Sequence, residues 1–511
     1  MSILYVSCLF LTGCNYTRVD FAPQASDLPW QAPVSDEECI DENPEYEDSL
    51  PSEPMLNAPK EFALPPHCAP DYEDSENLIE KDHVYNLPEL IDLAQRWNPD
   101  TRIAWEEARQ AAFQIGLTQA NYIPQVTADV LGGYQHTPLP VPKPFNPTGR
   151  MNFDTAELLP SFVIKWLLFD FGKRDYMIES AYQLSYASNV AFTETHQKLI
   201  FDVSKAYFTL DAVKAQVRVA EDALENAKLI LDVTESKLER GLEKTTEVAI
   251  ARREVAKGKY ELEQAKAAYN DSYHGLMQAM GLTPTLKLQI AESTGRSIPK
   301  GIAEDVNAYI YSALEQRPDI MEAYAKLQAS RADTSSAEAS YYPKIEFSGY
   351  AYQSIASLKT VNSTTSTVNR PATALFLNFS WPLYDGGTRK YLLDTARSKQ
   401  AAADDKLKKS QDNAIREVAK VYDDVKSSIA EYESALALVE ASNIAYDAAL
   451  DSYKHGLGTF TNLVNASTER TFALSTLAKG YSMVLISAAS LAFVTGELTS
   501  FETINILSEC N

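Results

Sequence analysis

Two hydrophobic rhythms alternate along this chain, and each occurs twice. Between Gly172 and Gly241 there is no proline, and apolar or small residues recur in a 4-3 spacing at Ala206, Leu210, Val213, Val217, Ala220, Leu224, Ala227, Leu231, Thr234 and Leu238. The same register runs through Val421, Val425, Ser428, Tyr432, Ala435, Val439, Ser442, Tyr446, Ala449 and Tyr453. A heptad seam held this long predicts helix packed on helix along its length. Seams this narrow and Ala-rich fit that arrangement better than a helix lying over a globular core, which needs a broader apolar face. After Pro124 and Pro343 the period shortens to two. Ile345, Phe347, Gly349 and Ala351 alternate with Glu346, Ser348, Tyr350 and Tyr352, and the partner strands read Phe162, Ile164, Trp166 and Leu375, Leu377, Phe379, Trp381. Alternation with aromatic ends predicts lipid-facing barrel strands, the other reading being an amphipathic hairpin of a soluble sandwich.

The pattern is a duplication. Trp166-Leu167-Leu168-Phe169-Asp170-Phe171-Gly172 recurs as Trp381-Pro382-Leu383-Tyr384-Asp385-Gly386-Gly387, and the same shift of about 215 positions carries Gly241-Leu242 onto Gly456-Leu457 and Gly281 onto Gly496. Upstream, Asn98-Pro99-Asp100 answers Arg317-Pro318-Asp319, and Asn121-Tyr122-Ile123-Pro124 answers Tyr341-Tyr342-Pro343, at a shift of about 219. One insertion of about four residues between Pro124 and Trp166 accounts for the change of shift.

Lengths then constrain the assembly. The stretch from Gly172 to Gly241, about 69 residues, makes a helix of roughly 100 Å, while Gly241 to Gly281 gives roughly 60 Å and Pro99 to Pro124 just under 40 Å. The two short helices sum to nearly the long one, so each repeat is expected to stack them end to end beside it. Two hairpins supply four strands, fewer than the roughly eight of the smallest single-chain outer-membrane barrels. An open sheet would leave bare edges in lipid, so several chains must share one barrel, and three would supply twelve strands. No sequence run approaches ~20 uninterrupted apolar residues, which assigns any membrane crossing to the strands.

Composition removes other functions. A net charge of -24 is incompatible with a phosphate-backbone partner, so no nucleic acid is expected. Residues 31–84 carry roughly sixteen acidic residues against two lysines, with many prolines, and read as a solvated linker. The five cysteines, at 8, 14, 39, 68 and 510, fall outside both repeats and show no metal-ligand spacing, and Cys39 and Cys68 leave open a disulfide or two unpaired thiols. The six histidines, at 67, 83, 136, 196, 274 and 455, are dispersed, and neither a nucleophile elbow nor a phosphate loop is present. An enzyme, a metal centre and a cofactor are therefore not expected.

The apolar run from Ile3 to Leu11 ends in Leu11-Thr12-Gly13-Cys14, which resembles the lipobox of bacterial lipoproteins. The resemblance implies cleavage before Cys14, a lipid on that residue, and, with Asn15 following it, placement in the outer membrane.

Taken together, the duplicated long-helix hairpins, the Trp-x-x-(Phe or Tyr)-Asp-x-Gly strand ends and the lipobox resemble the TolC-like outer-membrane efflux protein family, in its lipid-anchored branch. The resemblance covers roughly residues 85 to 500, and Val19-Asp20-Phe21-Ala22-Pro23 is similar to that branch's Pro-x-Tyr-x-x-Pro. It implies a mainly α chain with a transmembrane β-barrel: a homotrimer whose hairpins form an α-barrel and whose four strands per chain complete a twelve-stranded barrel. The expected organisation is a signal peptide at 1–13, an anchor and linker at 14–84, repeats at 85–300 and 301–500, and a tail at 501–511. Strands are expected near 125–168 and 344–383. The implied function is the exit duct of a tripartite efflux system in a Gram-negative outer membrane, taking small molecules from an inner-membrane pump through a periplasmic adaptor. An exit for type I protein secretion and a non-transporting periplasmic scaffold or adhesin are the alternatives.

By the same resemblance, Gly241 and Gly456 turn the periplasmic tips, and Tyr453, Asn462 and Asn465 form the pore constriction. The match departs at Gly458, where the family's best-known member has arginine, and at the two asparagines, where it has a ring of aspartates. Amides in place of carboxylates imply that divalent cations do not block this pore.

Overall fold

A computed structural model describes residues 83–144, 149–293, 305–360 and 366–498, with positions 25, 27 and 298. Cys14, the other cysteines and nearly all of the acidic segment lie outside the described residues. The described elements run β1 (Val84–Tyr85), α1 (Leu87–Trp97), α2 (Pro99–Gln119), β2 (Gln125–Pro140), β3 (Arg150–Phe169), α3 (Lys173–Glu239), α4 (Thr245–Met280), β4 (Gln289–Ile290), α5 (Val306–Gln316), α6 (Pro318–Ala339), β5 (Lys344–Thr360), β6 (Ser366–Ser380), α7 (Thr388–Lys454) and α8 (Phe460–Val494). The described residues divide into two compact units, one drawn from 106–191 and 319–412, the other from 83–105, 192–318 and 413–498.

In the first unit, β2, β3, β5 and β6 form one antiparallel sheet in that order. Register places Val126, Ile164, Gly349 and Leu375 in one row, and Trp166, Phe347 and Leu377 in another on the same face. The exposure of Val126, Phe162, Leu375 and Leu377, 63–73%, leaves this an uncovered apolar surface. Gln125, Asp129, Ser161, Lys165 and Ser348 take the other face by alternation. The connections between paired strands are nine residues after β2 and five after β5, which locates the four-residue insertion in that loop.

The repeated Asp-x-Gly corner joins strand to helix by one device used twice. Arg174 donates from Nε to Asp170 at 3.0 Å and from its guanidinium to the carbonyls of Asn121, Leu167 and Leu168, and it lies 4.1 Å from the Tyr122 ring centroid. In the second repeat Arg389 binds Asp385 at 2.7 Å over the Tyr341 ring. The Trp166 and Trp381 indoles donate to the carbonyls of Tyr122 and Tyr341. Phe171 has φ 56, where the other repeat has Gly386 at φ 69, and it stacks on Tyr342.

The second unit holds two short helices and a small strand pair that the heptad pattern does not show. Helix α1 is closed by a capping box, Asn86 Oδ1 accepting from Glu89 N at 3.1 Å while Asn86 N donates to Glu89 Oε2 at 2.8 Å. Its Leu87, Leu90, Ile91 and Ala94 pack on Leu199, Ile200, Val203 and Tyr207 of α3 and on Leu276, Met277 and Met280 of α4. Helix α5 is its repeat, with Asp305 as N-cap and Ala313 packed among Val418, Val425, Leu491 and Val494. Strands β1 and β4 form a small parallel pair.

The two glycines and the two proline breaks noticed in the sequence meet here. Gly281 ends α4 at φ 73, and a Cβ on it would stand 2.8 Å from the Asn98 Cα and 3.0 Å from the Pro99 Cδ, so α4 abuts the start of α2. Gly496 meets Gln316 and Arg317 in the same way at 3.0–3.2 Å. The end of α4 thus meets the start of α2, and the end of α8 the start of α6. Gly281→Ala is expected to destabilise by about 3 kcal/mol, from left-handed strain and the backbone clash together. Gly275→Ala, whose Cβ would meet nothing within 4 Å, should be neutral or slightly stabilising, and thermal unfolding of both variants checks this.

Helix α8 has the most membrane-like composition of the described helices. With a mean hydropathy of 1.6 over 18 residues, it is long and apolar enough to cross a membrane, although Lys479 and several serines interrupt its apolar run. Leu485, Leu491 and Val494 instead pack into the two cores just described.

The segment after β4 is strapped to α3 by charge. Glu292 accepts from Lys214 at 2.9 Å and Arg218 at 2.8 Å, and these cations hold its carboxyl down at about 2, below its ordinary 4.5. A folded-state pKa below the unfolded one contributes stability above the unfolded value and loses it as pH falls through the folded value. The contribution should vanish between pH 4.5 and about 2, and Glu292→Gln should flatten the thermal midpoint across that window.

Candidate functional site

Both long helices end in glycine turns. At the end of α3, Gly241 (φ 75) donates to the Leu238 carbonyl and Leu242 to that of Lys237; at the end of α7, Gly456 (φ 77) donates to Tyr453 and Leu457 to Ser452. These are the paired bonds that close a helix through a left-handed residue, which glycine adopts without penalty. They leave Leu242 and Leu457 72% and 88% exposed. Gly458 has its own steric reason, since a Cβ there would come 3.1 Å from Tyr453 N and from Ser452 Cβ. The sequence match marked it only as a missing arginine.

All four helices of this end meet in one cluster: Ile230 of α3, Ala251 of α4, Tyr446 and Tyr453 of α7, and Phe460 and Leu463 of α8. Tyr453, 1% exposed, sits between helices and does not line an open surface. Its hydroxyl lies 2.8 Å from Glu243 Oε2 and 3.2 Å from Thr234 Oγ1, while Lys237 lies 3.9 Å from its ring centroid and donates to its carbonyl. Burial, with the neighbouring Glu243 carboxylate adding to it, pushes the phenol up to about 12, so it remains a proton donor at any working pH. Lys237 belongs to α3, and its side chain reaches the C-terminal, negative end of α7. One residue of α7 is therefore tied to three residues of the α3–α4 hairpin.

Asn462 and Asn465 are exposed, one turn apart at the start of α8, and Asn462 N donates to the capping Thr459 hydroxyl at 3.3 Å. The structure does not bring them to Tyr453. Sequence reasoning missed Glu243 and Lys237, and Thr234 was visible only as a polar residue in the heptad seam, with nothing to link it to Tyr453. Farther along, Gln216 and Ser475 bond reciprocally at 2.8–2.9 Å, and Tyr446 donates to Asn226 at 3.3 Å. Among the described residues no group of three or more His, Cys, Asp or Glu side chains converges as a metal site would.

An apolar-faced sheet with long helical hairpins, and polar locks between those hairpins, defines a channel-forming outer-membrane protein. The chain belongs to the outer membrane efflux protein family, whose pattern it matches over residues 90–282 and 309–497, once in each repeat. It is 23% identical over 424 residues to Protein CyaE of Bordetella pertussis, covering 83% of this chain and 85% of that one. It is 26% identical over 393 residues to the cation efflux system protein CusC of Escherichia coli K12, covering 74% and 79%. Its fold is shared with the outer-membrane channel OprN, at a TM-score of 0.68 and 23% identity over 80% of this chain and 89% of that one. The family consists of non-enzymatic efflux channels, and this chain is a protein of the bacterial outer membrane.

Proposed function

We propose that the chain is the exit duct of a tripartite efflux system, a homotrimer that takes small molecules from an inner-membrane pump and a periplasmic adaptor to the exterior. The observation that carries this reading is the sheet: four strands with one apolar face and with β2 and β6 each lacking a second neighbour among the described residues. In lipid those edges need partners, and three copies close a twelve-stranded barrel. The ends turned by Gly241 and Gly456 are the periplasmic tips, where Leu242 and Leu457 offer an adaptor apolar contact. Tyr453 holds the hairpins together there, and Asn462 and Asn465 ring the constriction. Cys14 carries the lipid anchor.

Light scattering of the purified protein in mild detergent should give a trimer mass, and planar bilayers should show conductance; a monodisperse, non-conducting monomer would sink the reading. Divalent cations on the tip side should leave the parent channel open. Asn462→Asp with Asn465→Asp should create a block by clustering carboxylates at a narrow opening. An identical response in both proteins would remove the asparagines from the pore.

A further inference from the structure

Where the sheet meets the helices of the first unit, a concavity of about 1010 Å³ opens, and its charged lining does not balance. Eight charged side chains border it. Asp170 is paired with Arg174, Asp385 with Arg389, and Glu346 with Lys344, at 3.0, 2.7 and 2.8 Å. Lys165 and Lys173 remain, both exposed, and neither forms an ion pair among the described residues. Two uncompensated cations in a chain of net charge -24 run against its overall composition.

Their positions aim the charge. Lys165 stands in register between Gln125 and Ser348, on the face opposite Ile164, Val126 and Leu375. When the apolar face meets lipid, the Lys165 face lines the interior of the barrel. Lys173 is the first residue of α3, at the positive end of a 67-residue helix, where a cation adds to the dipole potential. Asp175, the acid of that first turn, is engaged by the Tyr122 hydroxyl. The lysines belong to the first repeat alone, since a shift of about 215 places Ser380 and Thr388 at the matching positions, and Ser380 borders the same concavity. Met177, Tyr342 and Leu392 supply an apolar wall.

We propose that Lys165 and Lys173 form a cationic selectivity site at the inner end of the barrel, favouring passage of organic anions such as carboxylates and sulfonates. The inference rests on the channel reading above. Three copies would bring six unpaired lysines around one conduit, and low-dielectric walls focus such a field on a passing ion.

The test is the reversal potential of the purified full-length protein in planar bilayers, first under a KCl gradient and then with potassium benzenesulfonate replacing KCl on one side. Lys165→Gln with Lys173→Gln should lower the anion-to-potassium permeability ratio about twofold or more at low salt, for both anions. The difference should shrink toward 1 M salt, where the screening length falls to about 3 Å. Lys165→Arg with Lys173→Arg should keep the parent ratio. Channels whose ratio is the same in parent and Gln variant at low salt would overturn the site and leave the channel reading standing. A parent protein that forms trimers but never conducts would overturn the channel reading and the site with it.

Discussion

Tyr453→Phe combined with Glu243→Gln should shift the closed-to-open equilibrium of the channel toward open by roughly thirtyfold. The two changes keep the shape of the tip cluster and leave the Lys237 contact with the ring in place. They remove the hydrogen bond from the phenol to the carboxylate, which at 2.8 Å joins α7 to the turn after α3. A hydrogen bond to a charged group contributes about 2 kcal/mol, and losing that from a closed state alone shifts a two-state equilibrium roughly thirtyfold. Both partners must be changed, because Phe alone would strand a half-buried carboxylate and confuse opening with local unfolding. Single-channel recording at neutral pH reads the effect directly. Equal open probability in the double variant and the parent would mean that the bond survives opening and that the hairpins do not separate at Tyr453.

The largest loss of stability is expected from Arg174→Ala, at about 3–5 kcal/mol. Arg174 and Asp170 have side chains only 6% and 9% exposed, so truncation leaves a buried carboxylate without its cation and three carbonyls without their donor. Arg389→Ala removes the same device from the second repeat, where the side chains are 14% and 25% exposed and water can replace part of what is lost. Its cost should be about 1–2 kcal/mol. Thermal unfolding of both variants in the same detergent ranks them. Equal losses would show that solvent reaches the two corners alike.

Much of the fold was legible because its signals are periodic. The 4-3 seam gave α3 and α7, the two-residue alternation gave β5, and repeated glycines gave the turns at 241 and 456. The short helices α1 and α5 escaped because 11 residues are too few to establish a rhythm, although the shift of about 219 that links the proline breaks also carries Asn86 onto Asp305, the two N-caps. The membrane-like composition of α8 escaped because serine, alanine and one lysine break up its apolar residues without making the helix polar. At the tip, the sequence pointed to Tyr453 by resemblance and said nothing of Glu243 or Lys237. Their meeting depends on how two hairpins pack more than two hundred residues apart in the chain.

The sequence by itself determined the period, length and duplication of the elements, because each is set by interactions between near neighbours along one helix or strand. The number of strands also followed from it, and with that number the need for partners in lipid. Only the tertiary structure decided which signals belong together. Gly281 is a glycine because Asn98 and Pro99 press against it, the Asp of each strand-end motif matters because an arginine four residues on closes the corner, and Lys165 and Lys173 matter because the other charges bordering their concavity are paired. Those facts are distances between groups far apart in the chain or charges summed over a surface, and no local pattern encodes either.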